Sequence, residues 1–407
     1  MVQPSAGPSA RASARRAGSM LLAASILSAI WLPARAEPYR PERADELIET
    51  LPAGFIGPAT GPGSSSGPAD ETLDLELERA QSLLELTALT GDPRYAGRAR
   101  GALEPWWNVE DPPVRLALVR SRVARAGHAF DKARRDLEQV LAQRPEMVQA
   151  QLELATVLTI TGALEEAESA CVRLARIHPG LLAQACLADV QSLQGGAAWH
   201  LAQLEAGLAA DRSGAVPSDA ERAYVEAVTG DVAARAGDVV SAERHYRAAL
   251  ELQPRDIATR TRLADLLVSL GRHAEVAALL DDPGGVAALV LRAAMAEAAL
   301  DGSRQGELKD WLERHFTLLR QRGDTVHLRD EALYALRFEE DPALALDLAL
   351  RNWQVQKQSD DAALVLHAAL AAGRPEAATP VIEWLDAHRV DDATLTPLRA
   401  RWREAAT

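Results

Sequence analysis

Apolar residues along most of this chain recur three and four positions apart, the spacing of one face of an α-helix, and seldom alternate as strand residues do. Leu154, Ala155 and Leu158 mark one such face, and Ala167 and Cys171 mark another just beyond Gly162. Glycine at the break suits a tight turn, because it adopts positive φ without a Cβ clash. Pro179 closes the second stretch, since proline cannot continue a helical hydrogen-bond ladder. The chain therefore reads as a series of helical pairs. A first helix runs to Thr90, turns at Gly91-Asp92-Pro93, and a second leads toward Trp106-Trp107. Pairs follow over 114–145, 148–179, 181–213, 223–254 and 257–282. Further helices are expected at 286–300, 306–321, 327–338, 342–356, 361–372, 376–388 and 392–404, and strands nowhere.

The pairs repeat. Pro145 and Pro179 stand 34 residues apart, and Gly230, Gly237, Ala242, Tyr246, Ala249 and Pro254 take matching places in a second copy. Leu263-Ala264, Leu267 and Gly271 begin a third. A shared period of this length signals stacked helical units. On these residues the chain resembles the tetratricopeptide (TPR) family. That family asks for a large residue followed by a small one in the first helix, small residues in the second, and proline at its end. Small residues belong where two helices cross, because a bulky side chain would force the axes apart. The resemblance is specific over 114–282; elsewhere amphipathic pairs are merely compatible with it. It implies an all-α fold, an α-solenoid of TPR-like helix pairs wound into a right-handed superhelix with an extended concave surface. The expected organisation is a cleaved signal peptide at 1–36, a flexible tether at 37–69, a TPR solenoid at 70–282 and a degenerate TPR-like helical region at 283–407.

Composition sharpens this picture. Aromatics are 4% of residues, and alanine and leucine dominate the apolar set, which favours helix over strand. The net charge is −14, and residues 1–36 hold four arginines and no acid, so the remainder is more acidic still. That balance argues against binding a phosphate backbone or anionic lipid, and a basic protein partner fits it. Arg11, Arg15 and Arg16 precede an apolar run from Met20 to Leu32, and Ala34-Arg35-Ala36 supplies a cleavage site before Glu37. The run is too short for a permanent membrane span, and no cysteine near the cleavage site offers a lipid anchor. General secretion, rather than twin-arginine export, is the expected route, to the periplasm or beyond. Residues 52–69, rich in Gly, Pro and Ser, cannot bury enough apolar surface to offset ordering.

What the TPR resemblance implies about a site is a groove lined by one face of each first helix. In three units those positions are Gln149, Leu152, Thr156, Thr159 and Ile160; Tyr224, Ala227, Asp231, Ala234 and Arg235; and Ala258, Thr261, Asp265, Val268 and Ser269. The partner-binding candidates among them are Gln149, Leu152, Thr156, Thr159, Tyr224, Asp231, Arg235, Thr261 and Asp265. The Lys and Asn set of the carboxylate clamp found in chaperone-binding TPRs is missing, so that function does not carry over. Cys171 and Cys186 flank the turn at His178-Pro179 at similar heights on neighbouring helices; a disulfide and two small buried hydrophobes both fit. No metal-binding histidine motif, nucleophile elbow, Walker loop or dinucleotide fingerprint is present, so no catalytic residue, metal or cofactor is assigned. His245 and His273 are expected at the surface. Trp106-Trp107 is expected to cap the first pair, Trp311, Trp353, Trp384 and Trp402 to join the C-terminal core, and the polar run 322–331 to form a functional loop.

The reading that follows is a non-enzymatic exported scaffold that binds protein or peptide partners, and no nucleic acid, through its groove. The alternative is an envelope protein that binds or processes polysaccharide with groove aromatics and carboxylates. Exposed tryptophan on the concave face would favour the second.

Overall fold

The computed structural model describes residues 70–210, 218–324 and 326–406. The expected signal peptide and tether lie outside the described residues. Among those residues are nineteen α-helices and no strand. The first six pairs are α1 (Asp70–Thr90) with α2 (Pro93–Ala102), α3 (Val114–Ala126) with α4 (Phe130–Gln143), and α5 (Val148–Thr161) with α6 (Leu164–Ile177); then α7 (Leu181–Gln191) with α8 (Ala197–Ala210), α9 (Asp219–Arg235) with α10 (Val239–Leu252), and α11 (Ile257–Ser269) with α12 (His273–Leu279). Beyond them come α13 (Ala287–Ala299), α14 (Gln305–Arg322), α15 (Leu328–Tyr334), a π-helical turn at Ala335–Glu339, α16 (Pro342–Val355), α17 (Ser359–Ala371), α18 (Thr379–Ala387) and α19 (Thr396–Ala406). The fold is an all-α solenoid.

Local chemistry explains the pairs. Where α9 crosses α10, a β-carbon on Gly230 would fall 2.5 Å from the Tyr246 ring, so the hydrogen side chain lets the large ring in. Turns between paired helices place Gly162 and Gly237 at φ +81° and +78°. The α3–α4 turn carries one extra residue, and there His128 takes the left-handed conformation at φ +56°. The start of α19 falls later than the apolar pattern suggests. Asp392 accepts hydrogen bonds from the Thr394 amide and hydroxyl, a local turn that competes with helix.

No unit buries its apolar face alone. Trp106 joins Leu73, Leu77 and Leu116 in the first core, and Trp107 lies under the Arg100 guanidinium, 3.8 Å from its ring. A second core runs from Ala117 to Leu193 and holds Cys171 and Cys186, bonded as a disulfide that joins α6 to α7. A third runs without interruption from Ala185 to Tyr334, and a fourth from Leu328 to Leu398. Trp353 is buried in the fourth; Trp311, Trp384 and Trp402 are half-buried against these cores. One surface expectation fails. His245 is 6% exposed, and its Nδ1 lies 2.7 Å from Glu226 Oε2. It shares the inward face of α10 with Ala242, Tyr246 and Ala249, so the helical period buries it, and the carboxylate satisfies the ring. His273 is half-buried.

The turns of the first five pairs abut later parts of the chain. A β-carbon on Gly91 would meet Val286 at 2.6 Å, and one on Gly162 would meet Trp384 Cζ2 at 2.7 Å. His128 Nδ1 lies 3.4 Å from Gln356 Nε2. The amides of Lys357, Asp391 and Ala393 donate to the carbonyls of Ile160, Leu193 and Arg235, at 2.8, 2.8 and 3.0 Å. These acceptors sit at the ends of α5 and α9 and in the 3-10 turn that follows α7, where terminal carbonyls lack donors from their own helix. The connections after α16 and α18 supply them. Trp384 belongs to both the second and fourth cores. The solenoid is thus closed along one edge: its later helices stack on the turns of its earlier ones.

Candidate functional site

The first helices of successive pairs are tied together by arginine–carboxylate pairs on one shared face, the one the groove expectation names and here called the inner face. Arg122 on α3 donates through Nε to Glu153 on α5 at 2.9 Å. Arg235 on α9 donates to Asp189 on α7 at 2.8 Å, to the Asp189 carbonyl at 2.8 Å and to Ser192 at 2.9 Å. Arg262 on α11 pairs with Asp231 on α9 at 3.1 Å. Arg292 on α13 reaches both ways, to Asp265 on α11 at 2.9 and 3.0 Å and to Asp330 on α15 at 2.6 Å. Arg329 on α15 donates to Asp361 on α17 at 2.7 Å. Each pair bridges two helices, so the ladder holds the spacing between units.

The sequence-derived groove residues fall into two sets. On α5, Gln149 is exposed, while Leu152 and Ile160 pack half-buried against the second core. Thr156 and Thr159 donate to the carbonyls of Leu152 and Ala155, both at 2.9 Å, so their hydroxyls serve their own helix. Thr261 does the same with Ile257 at 2.8 Å. The other set is charged. Asp231 accepts from the Tyr246 hydroxyl at 2.8 Å as well as pairing with Arg262. Asp231, Arg235 and Asp265 are rungs of the ladder, and Tyr224 packs half-buried beside the third core. The polar run 322–331 supplies Arg329 and Asp330 to the same ladder, and its Glu331 accepts from Arg320 at 2.5 Å. Arg262, Arg292 and Asp189 were not singled out from the sequence. Their signal is weak: on a helix surface, Arg and Asp one turn apart ordinarily mark a solvated face.

Burial raises the carboxyls of Asp231 and Asp265 above the usual carboxylate range, against the opposing pull of Arg262 and Arg292. Burial also raises the Tyr224 phenol, helped by Asp189 and Asp231. Yet water still reaches the face: the Asp265 side chain is 40% exposed and that of Arg262 36%. Asp360, exposed at the first turn of α17, lies within electrostatic reach of Arg262, Asp265 and Arg329. From α7 to α17 the described inner face carries six aspartates (189, 231, 265, 330, 360 and 361) against four arginines (235, 262, 292 and 329).

Among the described residues no group of His, Cys, Asp and Glu is arranged to hold a metal ion, and no helix is long and apolar enough to cross a membrane. No family model and no curated protein matches the chain. Solved structures do show likeness. A tetratricopeptide repeat protein from Parabacteroides merdae shares 12% identity with a TM-score of 0.35, over 73% of this chain and 99% of that one. Yeast Tom70 shares 13% with a TM-score of 0.38, over 82% and 80%. Human IFIT1, solved as a dimer with PPP-AAAA, shares 13% with a TM-score of 0.36, over 79% and 95%.

Proposed function

We propose that this chain is an interaction scaffold whose inner face receives a basic segment of a protein or peptide partner. The observation that carries the reading is the excess of aspartate on that face, with Asp265 and Asp360 open to water. Carboxylates whose charged form is disfavoured by burial gain most from an incoming cation, because the ion pair offsets desolvation already incurred. Net acidity adds a longer-range attraction. The same reading places the protein outside the reducing cytoplasm, supported by the N-terminal signal pattern and the Cys171–Cys186 disulfide. It assigns no catalysis, since the arginines and aspartates of the inner face hold helices together.

Fluorescence anisotropy tests the site. A lysine- and arginine-rich peptide should bind the chain, more weakly as salt rises, and a glutamate-rich peptide of equal length should not. Asp360→Arg should weaken the basic peptide about tenfold, a change of ~1.4 kcal/mol. Equal binding of both peptides, or indifference to Asp360→Arg, would sink the proposal. For export, the chain recovered from the cell should begin at Glu37; one that still begins at Met1 removes that part of the reading.

A further inference from the structure

Helix α7 faces two ways. Asp189 and Ser192 point to the inner ladder through Arg235. Gln184, Leu187 and Gln191, recurring at three- and four-residue steps, lie on the opposite face, where a cleft of about 300 Å³ opens between α7 and the start of α8. Trp199, His200 and Gln203 close it from the α8 side. The volume is at the lower end of the ~300–1,000 Å³ that small-molecule sites occupy.

Three properties of the cleft define what it would take. Trp199 is 63% exposed, whereas the other six described tryptophans are buried or half-buried. A large indole left in water on a well-packed solenoid offers a flat apolar surface that the fold itself does not use. Next, no acidic or basic side chain lines the cleft, although charged residues make up 25% of the chain. His200 does not break the pattern, because burial holds its imidazole below the ordinary value and so neutral at pH 7. An ionic ligand would lose its hydration there and find no counter-charge. Finally, the walls carry fixed amides. Gln191 Nε2 donates to Glu168 Oε1 at 2.7 Å, and Gln184 Nε2 donates to the Gln203 carbonyl at 3.1 Å. Both contacts orient the amide; the Gln191 carbonyl oxygen is left as an acceptor, while that of Gln184 packs against Gly207. The Gln203 amide at the rim is exposed and can both donate and accept. A purely apolar ligand would strip water from these groups and replace none of its hydrogen bonds.

We propose that this cleft binds a neutral saccharide. A pyranose ring has an apolar C–H face and a rim of hydroxyls. The face fits the exposed indole of Trp199. The hydroxyls donate to the carbonyl oxygen of Gln191 and exchange hydrogen bonds with Gln203 and His200. The site is separate from the inner face and stands whether or not a basic peptide binds there.

Saturation-transfer NMR on the full chain tests it, with unmodified tetrasaccharides of glucose, xylose, mannose and N-acetylglucosamine as probes. At least one should receive saturation, with an affinity that does not change between low and high salt, since no charge is neutralised. Trp199→Ala should weaken that binding about tenfold or more, and Gln203→Ala should weaken it by a smaller factor. Val240→Ala, at another exposed apolar position, should leave it unchanged. Thermal melting of Trp199→Ala should match the parent, because the side chain it removes is mostly in water. The proposal fails if none of the four probes binds, if binding survives in Trp199→Ala, or if affinity falls with salt. It also fails if Trp199→Ala abolishes capture of a protein partner while saccharide binding is absent; the cleft would then be a protein contact.

Discussion

Arg120 has no exposed surface, and neither does its partner Asp136 to within 1%. The guanidinium donates to both carboxylate oxygens of Asp136, at 2.8 and 2.7 Å, and through Nη1 to the carbonyls of Trp106, Trp107 and Val109, at 2.7, 3.0 and 3.1 Å. One side chain therefore satisfies the irregular backbone after α2 and fastens it to α3 and α4. Removing it would leave Asp136 buried with only Lys132, at 3.1 Å, for compensation. Arg120→Ala should cost ~3–5 kcal/mol in urea denaturation, the range for a broken buried pair. Arg120→Met combined with Asp136→Leu should recover much of the loss. A single-variant cost below ~1 kcal/mol would show that this node does not hold the local structure, and a double variant that recovers nothing would place the stabilisation in the carbonyl hydrogen bonds instead of the ion pair. Nothing in the spacing of Arg120 and Asp136 announces this node. Both sit among charged neighbours, most of which face water.

At the scale of elements, the turns and helix ends follow local chemistry, and the apolar period places the helices within a few residues of where they fold. His245 is instructive: its position beside Tyr246 on a face with Ala242 and Ala249 already implied burial, but its polarity suggested the opposite. The face wins because Glu226 meets the ring. The disulfide is another element-scale device. It ties the second helix of one pair to the first of the next, with Cα atoms 5.5 Å apart, and closes a loop of 15 residues. Loop-closure entropy of that length is worth ~3 kcal/mol. Reduction, or Cys171→Ser with Cys186→Ser, should lower the unfolding free energy by about that much, read by urea denaturation with and without reductant. An unchanged midpoint would mean that the buried pair stabilises as packing alone.

Closure belongs to the whole molecule. His128 stands at the seam, stacked on Phe130 at a centroid distance of 5.3 Å and facing Gln356. Burial pushes its imidazole down to about 4, with His327 and Arg329 adding to the shift and Asp324 and Asp330 opposing it. An unfolded histidine takes up its proton near 6.5. Between these values the unfolded chain binds more protons than the folded one, so stability should fall as pH drops from 6.5 toward 4 and level off below. His128→Asn suits the left-handed turn and should flatten that part of a melting-temperature profile. An unchanged slope would assign the effect to His200, His315 or His367, whose imidazoles burial also lowers.

The order of apolar and polar residues establishes that this chain is all-α, where its helices pair, and which apolar faces meet within a unit. Those features depend on contacts within some 34 residues, and the helical period writes such contacts directly into the order of apolar and polar positions. The sequence also set the acidity and supplied the candidates Asp231, Arg235 and Asp265. Tertiary structure decided that these aspartates and arginines form a ladder with Arg262 and Arg292. It also decided that the connections after α16 and α18 close the turn edge, and that Trp199 is left exposed over an uncharged cleft. The ladder and the cleft depend on how neighbouring helices are set against each other, and the closure depends on how the small rotation between units accumulates along the solenoid; no pattern within one helix records either.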